Sequence, residues 1–327
     1  MTERDDAIFR AGTPRAAEFN EELSRIDKWL TPRVFNIEMS GGHSVRAYEV
    51  GPPDVPAVIG CHGTVGVPIQ SGGGGIGYIA RYVSFAPLFC RLIAFDRPGY
   101  GGSSPQPGRK VGDIAPIVEA ILDHLSVDVA GVFGTSGGGP SALATAALLP
   151  RRISRAASYG GVGPSFGPGG FDFVDGSAPL FRAEIEAARK GEKAAREFYR
   201  NVIAGPPRSP ENDYSALEFS LQSRSSAAPD PVSEKITQQL ALPVNPYPQE
   251  DAYVDDVLSW CAPWGFELGS IKAPTRFFHG LEDVAVSPRH PKWMKSQIPN
   301  ASLELYPHIG HALDKLMPHV LAWLTMA

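Results

Sequence analysis

Residues 127–150 read VDVAGVFGTSGGGPSALATAALLP, in which an apolar run leads through a glycine-rich turn into an alanine-rich segment. The apolar run predicts a buried β-strand, and the alanine-rich run predicts an α-helix. Ser136 stands between them, with Gly134 before it and three glycines at 137–139 after it. Because glycine permits positive φ angles and close backbone approach, the pattern predicts a sharp strand-to-helix turn that presents the serine hydroxyl.

Short apolar runs alternate with helical segments on both sides of this turn. Apolar strands that are buried on both faces and separated by helices are typical of a parallel sheet covered by helices. The sequence therefore predicts an α/β fold with a mostly parallel sheet, preceded by a hairpin at 34–51. The predicted strands are 55–63, 91–96, 127–134, 153–163, 273–280 and 301–307, and the predicted helices are 14–30, 114–125, 140–150, 290–298 and a last one from about His311.

The alternation stops after residue 163, where proline and glycine cluster, and resumes near residue 273. The intervening sequence favours helices, at 183–204 and 209–222. We therefore expect a helical lid inserted between the strands that bear the nucleophile and the acid. The predicted division is an N-terminal helical segment at 1–32, a core domain formed by 33–162 and 263–327, and a lid at 163–262.

Composition narrows the class of protein. The chain has 327 residues, 43% of them hydrophobic, and a net charge of −5 without a long basic block. These values predict a sizeable core and no nucleic-acid or membrane partner. Three widely spaced cysteines favour reduced thiols over a disulfide framework. The charged first residues indicate no secretory signal, so we expect a cytoplasmic location. A homodimer is possible.

The turn around Ser136 fits Gly-x-Ser-x-Gly, the pattern of a nucleophile elbow. A serine hydroxyl needs a base to take its proton and an acid to orient that base. Asp283 follows one predicted strand and His311 follows the last one, which completes the chain order serine, acid, histidine. Glu282 and His308 are the rival acid and base.

Acyl transfer also needs backbone N–H donors for an oxyanion. We expect one donor from Gly137, directly after the nucleophile, and the other from Thr64 in the loop IGCHGTVG (59–66). For His62 in the same loop, a structural role in shaping the loop is the preferred interpretation.

Together the motifs HGTVG, FDRPGYGGSSPQPGR, GTSGGGPSALA, PWGFEL, HGLEDVAVSPRH and IGH resemble the α/β-hydrolase superfamily. The sequence is most similar to lid-bearing bacterial hydrolases of unassigned substrate, over about 34–161 and from 263 to the end. The resemblance implies an α/β-hydrolase fold and a structural role for Asp96 and Arg97 in the turn DRPGYGGS. Relatives often have proline after HGT, where this chain has Val65.

A different class of function has to be weighed. Gly72, Gly74 and Gly77 match the dinucleotide-binding fingerprint, and Asp96 follows about twenty residues later. The fingerprint should open directly after a strand, however, and here 62–71 intervene. We therefore expect no nucleotide cofactor. No spacing of Cys, His or Asp indicates a metal site.

The most consistent function is that of a serine hydrolase, carboxylesterase- or lactonase-like, acting on an ester, lactone or related acyl bond of a small apolar substrate. Alternatives on the same scaffold are a biosynthetic cyclase, a perhydrolase, an aminopeptidase and a non-catalytic binding protein. The aromatic residues of the lid either line an apolar substrate pocket or pack the lid onto the core. The candidate substrate-binding residues are Phe166, Phe171, Tyr247, Trp260 and Trp264, with Phe173 and Phe266 as further aromatic residues of this region.

Overall fold

A computed structural model describes residues 29–64, 75, 79, 90–165, 173–204, 247–311 and 316–326. The predicted helices at 14–30 and 209–222 therefore lie wholly or almost wholly outside the described residues. Among the described residues, no helix is both long and apolar enough to cross a bilayer.

Eight strands form one sheet in the order β1-β2-β4-β3-β5-β6-β7-β8. β1 and β2 form the predicted antiparallel hairpin, β2 is antiparallel to β4, and the remaining neighbours are parallel. The mostly parallel α/β sheet predicted from the sequence is thus confirmed. The strands are β1 Arg33–Glu38, β2 Ser44–Val50, β3 Ala57–Cys61, β4 Arg91–Phe95, β5 Ala130–Thr135, β6 Ile153–Tyr159, β7 Thr275–Gly280 and β8 Ala301–Tyr306.

Seven α-helices are described, and several flank the sheet. They are α1 Ile114–His124, α2 Gly139–Leu148, α3 Pro179–Arg189, α4 Glu192–Phe198, α5 Gln249–Trp260, α6 Arg289–Gln297 and α7 Met317–Leu324. The last helix begins at Met317 rather than near His311, with Pro318 in its first turn, where proline's missing N–H costs no hydrogen bond.

Alternating side chains of the central strands feed two hydrophobic clusters, one on each face of the sheet. Ile59 and Val132 point into the cluster that also contains apolar side chains of α1, α2 and α6, whereas Val58 and Phe133 point into the cluster that contains those of α7. β3 and β4 are buried along their whole length. This two-sided burial explains why their sequences are continuous apolar runs.

The segment 163–262, called the insertion below, follows β6 and precedes β7. Its described part is helical: α3, α4, a single π-helical turn at Tyr199–Ile203, and α5. The helix predicted over 183–204 is broken at Gly191, whose φ of +106° a helix cannot accommodate. The helix α5 was not predicted. Apolar side chains of the insertion, such as Phe181 and Val257, belong to the same hydrophobic cluster as the sheet. The boundaries of a separate lid domain stay a prediction.

A buried carboxyl group joins α3 to α5. Glu184 is 8% exposed, and the Tyr253 hydroxyl donates a hydrogen bond to it. Burial raises the pKa of Glu184 to about 7, even though the Tyr253 hydrogen bond acts in the opposite direction. The folded protein therefore binds this proton more tightly than the unfolded chain.

We expect this carboxyl group to make the free energy of unfolding fall as pH rises from about 4.5 to about 7, since the folded-state pKa is the higher one. Glu184→Gln cannot ionise, so its stability relative to the native chain should increase over that window, by up to about 3 kcal/mol. Urea unfolding at a series of pH values measures the difference. Glu186→Gln, on the exposed face of α3, is the control. Parallel pH profiles for the native chain and Glu184→Gln would contradict the prediction.

Candidate active site

Ser136 lies at the sharp turn between β5 and α2. Its φ of +51° is a left-handed conformation, which is uncommon for a residue with a side chain. A Cβ atom on Gly134 would stand 2.0 Å from the Gly138 carbonyl oxygen, and one on Gly138 would stand 2.2 Å from the Cys61 carbonyl oxygen. Glycine is thus required at both positions, which explains the motif that was recognised in the sequence.

Of the three residues predicted as a triad, His311 lies within hydrogen-bonding distance of both Ser136 and Asp283. His311 Nε2 is 3.0 Å from Ser136 Oγ, and His311 Nδ1 is 2.7 Å from Asp283 Oδ2. They come from loops at the carboxyl ends of β5, β7 and β8, which parallel pairing brings to one edge of the sheet. His311 and Asp283 are 6% and 2% exposed, so bulk water competes little with their hydrogen bond.

The Asp283 carboxylate is held from two sides. Its Oδ1 accepts hydrogen bonds from the Ala285 and Val286 N–H groups, at 2.9 and 2.8 Å. Burial by itself would raise the pKa of Asp283, but the His311 charge and the His279 and His311 hydrogen bonds outweigh burial and hold that pKa below its usual range. An ionised Asp283 can only accept, so His311 Nδ1–H donates to it and Nε2 is left to accept the Ser136 proton.

The rival acid and base contact each other instead of Ser136. His308 Nδ1 lies 3.2 Å from Glu282 Oε1, and their side chains are 92% and 62% exposed. The backbone explains the separation, because the Glu282 N–H donates to the Ile309 carbonyl oxygen and fixes the two loops side by side. Asp283 and His311, one and three residues further along the chain, turn inward.

The two residues predicted as oxyanion donors are in contact. A Cβ atom on Gly137 would stand 2.1 Å from Thr64 Oγ1, and one on Gly63 would stand 3.3 Å from Ser136 Cβ. The loop after β3 therefore lies directly against the turn that carries Ser136. That their N–H groups bind an oxyanion stays a prediction.

His62 has the structural role that was expected for it. Its Nε2 accepts from the Arg97 N–H at 3.0 Å, and its Nδ1 donates to the Gly63 carbonyl oxygen at 2.8 Å. Burial, followed by the nearby Arg97 charge, lowers the pKa of His62 to about 3. The ring is therefore neutral at physiological pH, with both nitrogens used to shape the loop.

The aromatic residues predicted to bind substrate differ in position. Phe166 and Phe171 lie outside the described residues, and Tyr247 is half-buried just before α5. Trp260 lies against the turn, because a Cβ atom on Gly137 would stand 2.7 Å from its Cζ2. Trp264 is 3% exposed and packs against Phe266.

Two buried residues near the site were not found by sequence reasoning. His279 Nε2 lies 3.3 Å from Asp283 Oδ2 and 2.8 Å from the Val286 carbonyl oxygen. Asp256 of α5 accepts hydrogen bonds from Thr64 and Arg97. The sequence signal for Asp256 is an acidic residue within the apolar run VDDVL (254–258), but its partners are more than 150 residues away.

Asp96, the residue that could have bound a ribose, is fully buried, and the Tyr48 hydroxyl and the Gly75 and Gly102 N–H groups all donate to its carboxylate. It therefore stabilises the turn after β4 and is not accessible to a nucleotide. Within the described parts of the chain, no group of three or more His, Cys, Asp or Glu residues is arranged to hold a metal ion.

Comparison with known proteins agrees with the fold. The family described as alpha/beta hydrolase fold matches residues 56–313, which is more than half of the chain. The chain belongs to this family. As a member of this family, it is a hydrolase.

Individual relatives are more distant. A 2-hydroxy-6-oxononadienedioate/2-hydroxy-6-oxononatrienedioate hydrolase of Cupriavidus pinatubonensis is 26% identical over 252 residues, which cover 74% of this chain and 78% of the relative. An esterase from Exiguobacterium antarcticum has a similar structure, with a TM-score of 0.60, 17% identity, and coverage of 90% of this chain and all of the esterase. The enol-lactonase from Burkholderia xenovorans LB400 has a TM-score of 0.56 and 18% identity, covering 89% of this chain and 96% of the lactonase. At these identities the two solved structures support the fold alone.

Proposed function

We propose that this protein is a serine hydrolase that cleaves an ester, lactone or related acyl bond of a small apolar substrate. The observation that carries the proposal is the chain of contacts from Asp283 through His311 to Ser136 Oγ, at 2.7 and 3.0 Å. A buried acid, an imidazole and a hydroxyl in this order are the elements that activate a serine for acyl transfer.

In the proposed reaction Ser136 Oγ attacks the substrate carbonyl carbon while its proton passes to His311 Nε2. The resulting oxyanion is stabilised by the Thr64 and Gly137 N–H groups. As the tetrahedral intermediate collapses, His311 returns the proton to the leaving oxygen, and an acyl-enzyme on Ser136 remains. Water, deprotonated by His311, then attacks the acyl carbon and releases the carboxylic acid and free Ser136.

A second candidate is hydrolysis of a carbon–carbon bond, which the name of the Cupriavidus relative suggests. Such a dioate substrate carries two carboxylates, which unpaired arginine or lysine side chains would bind most strongly. Arg97 and Arg109, the buried arginines on the Thr64 side of the site, are already paired with Asp255 and Asp256. As far as the described residues around Thr64 go, this pairing favours an uncharged acyl substrate.

A substrate panel separates the two candidates. We expect turnover of p-nitrophenyl esters with a preference for short or medium acyl chains, at a kcat/KM at least about 100-fold above that for a 2-hydroxy-6-oxo-dienedioate. Absorbance assays at 405 nm for nitrophenolate and at the dienol band measure both reactions. Efficient cleavage of the dioate together with negligible esterase activity would establish the second candidate in place of the first.

A further inference from the structure

Asp256 is the centre of a buried network that joins the insertion to the loop after β3. It is 1% exposed and lies near the end of α5. Its carboxylate accepts two hydrogen bonds from Arg97, both at 2.7 Å, and one from Arg109 at 2.6 Å. The Tyr100 hydroxyl donates at 2.9 Å and the Thr64 hydroxyl at 2.5 Å. A single carboxylate thus binds four side chains from two core loops, one after β3 and one after β4.

The charges of this network balance. The guanidinium groups of Arg97 and Arg109 face the carboxylates of Asp255 and Asp256, and Asp255 binds only Arg109 among these groups, at 3.1 Å. Burial acts to raise the pKa of Asp256, but the charges of Arg97 and Arg109 outweigh it and hold that pKa well below its usual range. Asp256 is therefore an ionised acceptor over the working pH range.

This ionisation fixes the direction of the Thr64 hydroxyl. A hydroxyl has one hydrogen, and a carboxylate has none to offer, so the Thr64 hydrogen points to Asp256. Arg97 Nη2 lies 3.4 Å from the same oxygen and donates to it weakly. The Thr64 side chain is consequently held in one orientation.

Thr64 is confined on its other side by the turn that carries Ser136. A Cβ atom on Gly137 would meet both Thr64 Oγ1 and Trp260 Cζ2, at 2.1 and 2.7 Å. Trp260 lies one helical turn after Asp256, so one face of α5 packs against Thr64 and against Gly137. Both residues that we assign to the oxyanion hole are thus positioned from the insertion.

We propose that Asp256 is the positioning residue of the oxyanion hole, which it aligns by holding the Thr64 hydroxyl from α5. The proposal rests on the proposed serine-hydrolase function. Preorganised donors stabilise a transition state only when they are held in place before the charge develops. Releasing the Thr64 side chain should therefore lower kcat more than it changes KM.

Thr64→Val tests the proposal with the least disturbance, because it removes the hydroxyl and keeps both the shape and the backbone N–H. We expect kcat for a p-nitrophenyl ester to fall about 10- to 100-fold while KM changes less than about threefold. An alkyl boronic acid, which forms a tetrahedral anionic adduct with a serine, should lose affinity by a similar factor. Thr64→Ser restores the hydroxyl and should recover most of kcat and of the boronic-acid affinity.

Asp256→Asn should cause a comparable or larger loss of kcat, and adding Thr64→Val to Asp256→Asn should lower kcat little further, because both changes act on the same hydrogen bond between Thr64 and Asp256. Asp255→Asn is the matched control: it changes the buried pairing of Arg109 without touching Thr64, so its kcat should stay within about twofold of the native value. If Asp256→Asn does not fold, the kcat and boronic-acid affinity of Thr64→Val and Thr64→Ser still test the proposal.

Two results would overturn the role of Asp256. In the first, Thr64→Val keeps the native kcat and the native affinity for the boronic acid. In the second, Asp255→Asn and Asp256→Asn lose kcat equally. Either result leaves the proposed function intact as long as the native enzyme hydrolyses esters through Ser136. Failure of the native enzyme to bind the boronic acid or turn over any ester would instead refute the proposed function.

Discussion

Replacing Ser136 with alanine is expected to reduce ester hydrolysis by about 10⁴-fold or more, because it removes the hydroxyl that we propose forms the acyl-enzyme. His311 Nε2 lies 3.0 Å from Ser136 Oγ, so the change removes the atom that the imidazole is placed to deprotonate. Folding should be preserved, since alanine is smaller than serine and fits in the same space. Relief of the strained φ angle is not expected, because alanine retains the Cβ atom.

The measurement combines steady-state kinetics with covalent labelling. A fluorophosphonate probe should label the native protein once, at Ser136, and peptide mass spectrometry should locate the adduct. Ser302→Ala, on the exposed side of β8, serves as the control and should keep full activity and labelling. Labelling that persists in Ser136→Ala would show that another residue is the nucleophile.

Replacing His311 with alanine is expected to lower kcat/KM for the same ester by about 10³- to 10⁵-fold, because the serine then has no base. The matched variant His308→Ala lies three residues earlier in the same loop and should stay within about twofold of the native value. Its ring is 92% exposed and pairs only with Glu282 at the surface. Kinetics with an activated ester at a fixed pH near 8 compare the two directly.

A small imidazole supplied in solution should partly restore activity to His311→Ala, because it can occupy the vacated space between Asp283 and Ser136. Rescue should not occur in Ser136→Ala. Near-normal activity in His311→Ala together with loss of activity in His308→Ala would show that His308 is the base. That result would contradict the role inferred from the distance of 2.7 Å between His311 Nδ1 and Asp283 Oδ2.

Carboxylates from two different parts of the chain contact the candidate active site. The carboxylate that orients His311 comes from the loop after β7, whereas the carboxylate that holds Thr64 comes from α5 in the insertion. Two buried acids thus contact residues near Ser136, Asp283 at His311 and Asp256 at Thr64. Both have pKa values below their usual range, so protonation of either at low pH would weaken the site.

The sequence by itself determined the local features of this protein. Continuous apolar runs can be buried only in a sheet covered on both faces, and all eight strands lie where such runs or the hairpin pattern placed them. Gly134 and Gly138 are required because a Cβ atom at either position would collide with a backbone carbonyl oxygen. The spacing of these glycines therefore indicated the turn from the sequence alone. Asp283 and His311 could be chosen because the carboxyl ends of parallel strands converge at one edge.

Tertiary structure alone decided the features that depend on distant partners. The break of the insertion helix at Gly191 follows from a φ of +106°, which the charged amphipathic pattern around it does not reveal. Asp256 looks like an ordinary helical acid in the sequence, yet it meets Thr64 across 192 residues and Arg97 across 159. Such pairings depend on how α5 packs against the core. Packing is determined by the shape and burial of many side chains together, and no short-range pattern in the sequence contains that information.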